Sequence, residues 1–281
     1  MRISMWGPKS AGKTTYIAMI YGTALKSTTN WIVKPSDVES TNFVRLQINN
    51  LRKGEFPLPT SFVNEPLYYK YQIRSMKANS SKKIQEDEKE FLDSLFEFIR
   101  GAENENLTNG QKDEEVTVTF ADVAGEQFIQ EDISHPLWDH LADSDALICL
   151  LDPSDANDHF EITYQLLQYL WLKLKDRPNA LVNGMLPHYV AFCFSKMDQP
   201  EFIEFINRPK ELVSYLENKS NLDIDKLLLQ YVFPERLKYF TVSSVGLDAN
   251  IDSSGRIVNP KEVHPINILE PLRWMFLVSG K

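Results

Sequence analysis

The sequence predicts an α/β fold: a mostly parallel sheet with helices on both faces. Three observations lead there. Five short apolar runs, at residues 3–6, 116–121, 146–151, 189–194 and 239–242, each run straight into a polar or glycine-containing turn. Most are too short for helices, are rich in β-branched or aromatic residues, and several lack clean polar alternation, so they read as strands buried on both faces. Helical periodicity fills the intervals. Ile17, Ile20, Tyr21 and Ala24 fall at i, i+3, i+4 and i+7, and Phe160, Tyr164, Leu167, Trp171 and Leu174 step by four and three. Strands alternating with helices build βαβ units.

The interval from Thr14 to Asp122, about 108 positions, exceeds one helix and a crossover. Within it, residues 37–51 are expected to form a helix with Val38, Phe43, Leu46 and Leu51 as its apolar positions, and 67–73 (LYYKYQI) a strand. Residues 82–100 are expected to form a second helix carrying Ile84, Phe91, Leu95 and Ile99 on one face, and 101–115 a polar, acidic loop. A further, mostly helical enlargement spans 199–233. With 281 residues and ordinary soluble composition, 43% hydrophobic and 25% charged, the chain is expected to be one domain over 1–281. Its inserts fall at about 76–115 and 199–233.

Composition excludes several classes. The two cysteines, Cys149 and Cys193, sit in apolar runs and read as buried strand thiols, not a disulfide scaffold. The five histidines show no metal-ligand spacing, and the aromatic stripes (Phe160, Tyr164, Trp171; Trp274, Phe276) read as core, not as stacking platforms. No apolar stretch is long enough for a membrane span and no export signal opens the chain, so a reducing, cytoplasmic compartment is expected. The net charge is −9, and residues 82–115 hold eleven acidic and five basic side chains. Nucleic acid is therefore not expected as a partner, since backbone phosphates need a basic stripe.

Chemistry concentrates where strands end. The first strand runs into Gly7-Pro8-Lys9-Ser10-Ala11-Gly12-Lys13-Thr14, a GxxxxGKT phosphate loop with a strand before it and a helix after. Backbone N–H groups and the helix N-terminus offer donors and a positive dipole end to phosphates. Lys13 would reach the β- and γ-phosphates, and the Thr14 hydroxyl would take a Mg²⁺ position. Lys9, inside the loop, could bring its ammonium to the oxygen bridging those phosphates. This loop alone does not choose between ATPase, kinase and GTPase. The strand at 116–121 finishes in Asp122-Val123-Ala124-Gly125, an acid placed for the Mg²⁺ shell followed by a glycine whose N–H can approach a γ-phosphate. The strand at 189–194 finishes in Ser195-Lys196-Met197-Asp198. A carboxylate there accepts from both N1–H and the exocyclic amine of guanine, whereas adenine offers a lone pair at N1. Such a site discriminates by roughly 10⁴-fold. The Lys196 stem can stack along base and sugar. The last strand leads into Ser243-Ser244-Val245-Gly246, small residues that let backbone N–H groups approach a base oxygen.

In this order and at these strand ends, the four motifs resemble the G domain of the translation-factor-related (TRAFAC) class of GTPases, which includes the Ras-like proteins. The DxAGE form of the second motif, the Leu-Asp-Pro after Leu150 and the helical inserts look more like bacterial stand-alone or double-GTPase proteins. The resemblance implies a three-layer P-loop NTPase fold, a mostly parallel six-stranded sheet with one antiparallel edge strand. It implies GTP, GDP and Mg²⁺ as ligands and a nucleotide-dependent switch. Gly7, Lys9, Ser10, Ala11, Gly12, Lys13, Thr14 and Thr15 would bind phosphate; Lys196, Asp198, Ser243, Ser244 and Val245 would bind guanine. Thr14, Asp122 and a switch threonine would hold Mg²⁺. That threonine must lie between the first helix and the strand at 67–73, among Thr23, Thr28, Thr29, Thr41 and Thr60. Thr60 is chosen because it follows the proline-stiffened stretch 54–59. Hydrolysis would use Lys13, Gly125, Glu126 and Gln127.

The chain departs from the family pattern. Ser195 stands where Asn or Thr is usual, a change expected to weaken but not abolish guanine binding. Glu126, then Gln127, follow Gly125 where a water-orienting glutamine is common. Glu126 can accept from water but adds charge beside the γ-phosphate, so a binding module with little turnover stands beside the hydrolase reading. A P-loop ATPase or phosphotransferase is the third alternative. An effector or activating protein is implied, and dimerisation through the nucleotide face is common in related GTPases; no residue here names either partner.

Overall fold

The computed structural model describes residues 1–25, 31–57, 67–75, 115–122, 136–220, 222–249, 251–260 and 263–279. Seven strands form one sheet in the order β2-β3-β4-β1-β5-β6-β7. In chain order they are β1 Arg2–Trp6, β2 Trp31–Pro35, β3 Leu67–Ser75, β4 Glu115–Asp122, β5 Ala146–Leu151, β6 Tyr189–Phe194 and β7 Leu237–Thr241. β4, β1, β5, β6 and β7 run parallel, while β3 is antiparallel to both of its neighbours. The helices are α1 Lys13–Ala24, α2 Val38–Arg52, α3 Pro136–Ala142, α4 Ala156–Lys175, α5 Pro209–Ser220, α6 Ile224–Leu228 and α7 Glu270–Ser279.

Alternate residues of the buried strands feed two cores. Ala146, Ile148 and Leu150 of β5 pack with α1, α2 and α7 on one face, together with Ile3, Met5, Tyr71 and Phe120. Leu147, Cys149 and Leu151 pack with α3, α4, α5 and α6 on the other, together with Trp6, Phe192 and Phe194. Three layers result. The uninterrupted apolar run of β5 is explained by this two-sided burial.

The expected helix at 37–51 is α2, started by the Asp37 carboxylate, which accepts from the Ser40 N–H at 2.8 Å. The expected strand at 67–73 runs two residues further, to Ser75. The sheet has seven strands where six were expected; the extra one is β2. Its sequence, WIVKP, holds a lysine and ends in proline, and only Val33 is fully buried, so it carried neither alternation nor an apolar run. Proline is tolerated there because β2 is the sheet's outermost strand, on the far side of the antiparallel β3. The expected helix at 82–100 and nearly all of the loop at 101–115 lie outside the described residues; Glu115 already belongs to β4. The enlargement at 199–233 contains a 3₁₀ turn, α5 and α6.

Two periodicity readings shift in detail. Helix α1 is buried on nearly every side, with Tyr16, Ile17, Ala18, Met19 and Ile20 all inside. In α4 the core face is Phe160, Thr163, Leu167, Leu170 and Leu174, leaving Tyr164 and Trp171 half-buried at its margin. Both cysteines are buried, as expected, and they point into opposite cores. Among the described residues, no helix is long and apolar enough to cross a membrane.

One titratable group is locked into this scaffold far from the strand ends that carry the motifs. His188, fully buried just before β6, faces the Leu141 carbonyl through Nε2 at 3.1 Å, and burial pushes its pKa down to about 4. The unfolded chain therefore binds a proton near pH 6.5 that the folded chain refuses. The stabilisation is complete above that pH and is lost as pH falls towards 4, by up to about 3 kcal/mol. In urea unfolding, the stability difference between wild type and His188→Gln is expected to shrink by this amount between pH 7 and pH 4. A difference independent of pH would contradict the assignment.

Candidate functional site

The turns after β1, β5, β6 and β7 all leave the same edge of the sheet. Register fixes this: Trp6 pairs with Cys149, Leu151 with Phe194, and Phe194 with Thr241. Asp122, the last residue of β4, is level with Met5, so it ends beside the first of these turns.

The loop after β1 is shaped by its backbone. Ser10 and Gly12 adopt left-handed conformations (φ 64° and 86°), and the Ala11 N–H returns to the Pro8 carbonyl at 3.3 Å. Gly7 is required by packing, because a Cβ there would stand 2.5 Å from the Leu150 carbonyl oxygen. At Gly12 the opposite holds: a Cβ would meet nothing within 4 Å among the described residues, which leave the space beside the helix entrance open. Among the described residues, helix α1 begins with no side-chain cap hydrogen bond, and its own first turn holds no acid to offset the positive dipole end. Lys13 is buried and donates from Nζ to the Gly7 and Pro8 carbonyls at 2.6 and 3.0 Å, which holds the loop as a closed hoop. Lys9 and Ser10 are exposed on the loop, Thr14 is half-buried, and Ala11 and Thr15 are buried.

The loops after β6 and β7 are tied together. The Ser243 hydroxyl, fully buried, donates to Asp198 Oδ1 at 2.5 Å and accepts from the Gly246 N–H at 2.8 Å and the Val245 N–H at 3.3 Å. Asp198 Oδ2 has no partner among the described residues. Asp198 is thus held through one carboxylate oxygen. The Val245 N–H leans on Ser243 through the longer of these two bonds. The Met197 N–H adds a link to the Val242 carbonyl at 3.3 Å. Ser195 ties β6 to β5 instead, its N–H and Oγ both donating to the Leu151 carbonyl, at 2.7 and 3.0 Å.

Sequence reasoning missed a residue here. Asp152, the first residue after β5, is 4% exposed and accepts from Lys196 Nζ at 2.6 Å, the Ser154 N–H at 3.0 Å and Gln199 Nε2 at 3.3 Å. Its own N–H donates to His159 Nδ1 at 3.0 Å. Burial alone would raise the Asp152 pKa, but the Lys196 bond and charge and the Ser154 bonds outweigh it and hold the carboxyl below its usual value. The available signal was an acid at the end of a buried strand followed by Pro-Ser, a capping pattern.

The structure thus brings Gly7, Lys9, Ser10, Ala11, Gly12, Lys13, Thr14 and Thr15 into one loop and helix start, with Asp122 beside it. Lys196, Asp198, Ser243, Ser244 and Val245 form a second group at the same sheet edge. Thr60, Gly125, Glu126 and Gln127 lie outside the described residues. No group of three or more His, Cys, Asp or Glu that could cage a metal occurs among the described residues.

Sheet order, layers and the glycine-shaped loop between β1 and α1 define a three-layer α/β P-loop fold. No protein-family model and no curated protein matches the sequence. Among solved structures the chain is similar to the signal recognition particle receptor SRb-GTP/SRX complex from Chaetomium thermophilum. Identity is 14% and the TM-score 0.42, with 99% of this chain and 97% of that one covered.

Proposed function

We propose that this chain is a GTP- and GDP-binding switch that hydrolyses GTP with Mg²⁺, built as one GTPase domain over residues 1–281. The observation that carries this reading is Asp198, presented at the end of β6 by the Ser243 hydroxyl with a second carboxylate oxygen to spare. A carboxylate so placed accepts from the N1–H and amino group of guanine and opposes the N1 lone pair of adenine. Phosphates would lie in the open space beside Gly12, on the loop amides and the α1 dipole, with Lys13 turning from its loop carbonyls towards them.

The residues present also suit Mg²⁺, which keeps several waters and takes only one or two protein ligands beside phosphate oxygens. Thr14 and Asp122 would hold it, with Thr60 joining when triphosphate is bound. When bound, it would neutralise the negative charge that develops on the phosphate oxygens. Glu126 or Gln127 would orient the water for in-line attack while the Gly125 N–H meets the γ-phosphate. Loss of that phosphate would release the segments at 56–60 and 122–132, the change a partner or a second copy of the chain would read.

The test is a Mg²⁺-containing titration of GTP, GDP and ATP, followed by single-turnover hydrolysis of bound GTP. Guanine nucleotides are expected to bind at least roughly 100-fold more tightly than ATP. Equal binding of ATP would return the chain to the wider group of P-loop ATPases and kinases. GTP bound tightly but not cleaved would leave a binding module.

A further inference from the structure

The loops after β5 and β6 are stapled by a ring of side chains that phosphate and Mg²⁺ binding leave unused. Asp152 Oδ2 takes Lys196 Nζ at 2.6 Å. Its Oδ1 takes Gln199 Nε2 at 3.3 Å and the Ser154 N–H at 3.0 Å, and the Ser154 hydroxyl closes the ring onto Gln199 Oε1 at 2.6 Å. Lys196 has a left-handed backbone (φ 54°), which turns its side chain back from the β6 loop to reach an acid 44 residues earlier in the chain. The carboxylate is buried while the lysine is not: relative exposures are 5% and 39%. A surface ion pair of ordinary design would leave both groups in water; here the acid is fixed and the lysine is the member presented outwards.

With its ammonium anchored on Asp152, the four-carbon stem of Lys196 is tethered between the ends of β5 and β6, two residues from Asp198. Lysine has one of the largest rotamer entropies of any side chain, so a stem ordered in advance offers an apolar surface without that loss on binding. We propose that Asp152 is a positioning residue for base recognition: it acts through Lys196, stretching the stem into a platform on which the purine lies while Asp198 reads its edge. This rests on the guanine-nucleotide reading above. It predicts a contribution shared by every ligand carrying the base and absent from ligands that lack it.

The experiment is a double-mutant cycle read by nucleotide titration. Asp152→Asn keeps the acceptor for Ser154 and removes the charge; the exposed Lys196 ammonium is then free to hydrate, so the fold should survive, as checked by circular dichroism and thermal unfolding. Asp152→Asn is expected to weaken GMP, GDP and GTP by the same roughly tenfold factor, and to leave inorganic triphosphate binding unchanged. Asp152→Glu should recover part of the loss. In a Lys196→Met background, which keeps a stem but no ammonium, Asp152→Asn should have no further effect. Guanine preference in the wild type with an unaltered Asp152→Asn variant would overturn the platform and leave the guanine reading intact. Equal losses with and without the Lys196 ammonium would show that Asp152 acts by another route. A wild type without guanine preference would overturn both.

Discussion

Replacing Asp198 by asparagine is expected to lower GDP affinity by roughly 10²–10³-fold, about 3–4 kcal/mol, and to leave weak ATP binding unchanged. The amide retains one oxygen, so Ser243 can still donate to it and the two loops stay joined. What it loses is the second acceptor. An N–H then faces a donor on guanine, and both are desolvated without a partner. Because the phosphate loop is untouched, adenine and guanine nucleotides should become nearly equivalent. Titration of GDP and ATP against both proteins checks this. Unaltered GDP binding in Asp198→Asn would reduce residues 195–198 to a surface turn.

The second large effect is structural. Gly246→Ala is expected to destabilise the protein by about 3 kcal/mol, combining left-handed backbone strain with overpacking. Gly246 has φ +87°, and a Cβ there would stand 2.0 Å from the His264 carbonyl oxygen. That carbonyl belongs to a segment joined by three backbone hydrogen bonds to the loop after β7. The Ser243 N–H donates to the Ile266 carbonyl at 3.1 Å, the Ile266 N–H returns to Ser243 at 2.8 Å, and the His264 N–H donates to the Val245 carbonyl at 2.8 Å. Displacing it disturbs the Ser243 hydroxyl that aims Asp198, so guanine affinity should fall with stability. Urea unfolding and GDP titration of the same preparation measure the two together. An unfolding midpoint equal to wild type would show that the 263–266 segment yields without cost.

The phosphate loop was legible because backbone geometry dictates its letters. Gly12 sits at positive φ and Gly7 against a carbonyl, and no other residue type meets either demand without strain. β5 and β6 were legible because burial on two faces leaves an unbroken apolar run. Edge strand β2 was not, since one buried valine among five residues has no period. Asp152 stood in the sequence only within Leu-Asp-Pro, and its contact was not legible for another reason. Its partner lies 44 residues away, and only the register of β5 against β6 brings the two together. The sequence singled out Lys196 and Asp198 by spacing alone; the acid that orients the lysine has no spacing to read.

β3 and β4 pair from Leu67↔Asp122 to Arg74↔Glu115, so the chain leaves the sheet after Ser75 and re-enters one strand away, about 4.8 Å. A tight turn could bridge that gap. Carrying residues 76–114, about 39 positions, in place of a four-residue turn adds only about 2 kcal/mol of closure entropy. Chain closure alone therefore sets almost no limit on the length of this stretch: doubling it would add only about 0.6 kcal/mol to the closure cost of pairing β3 with β4.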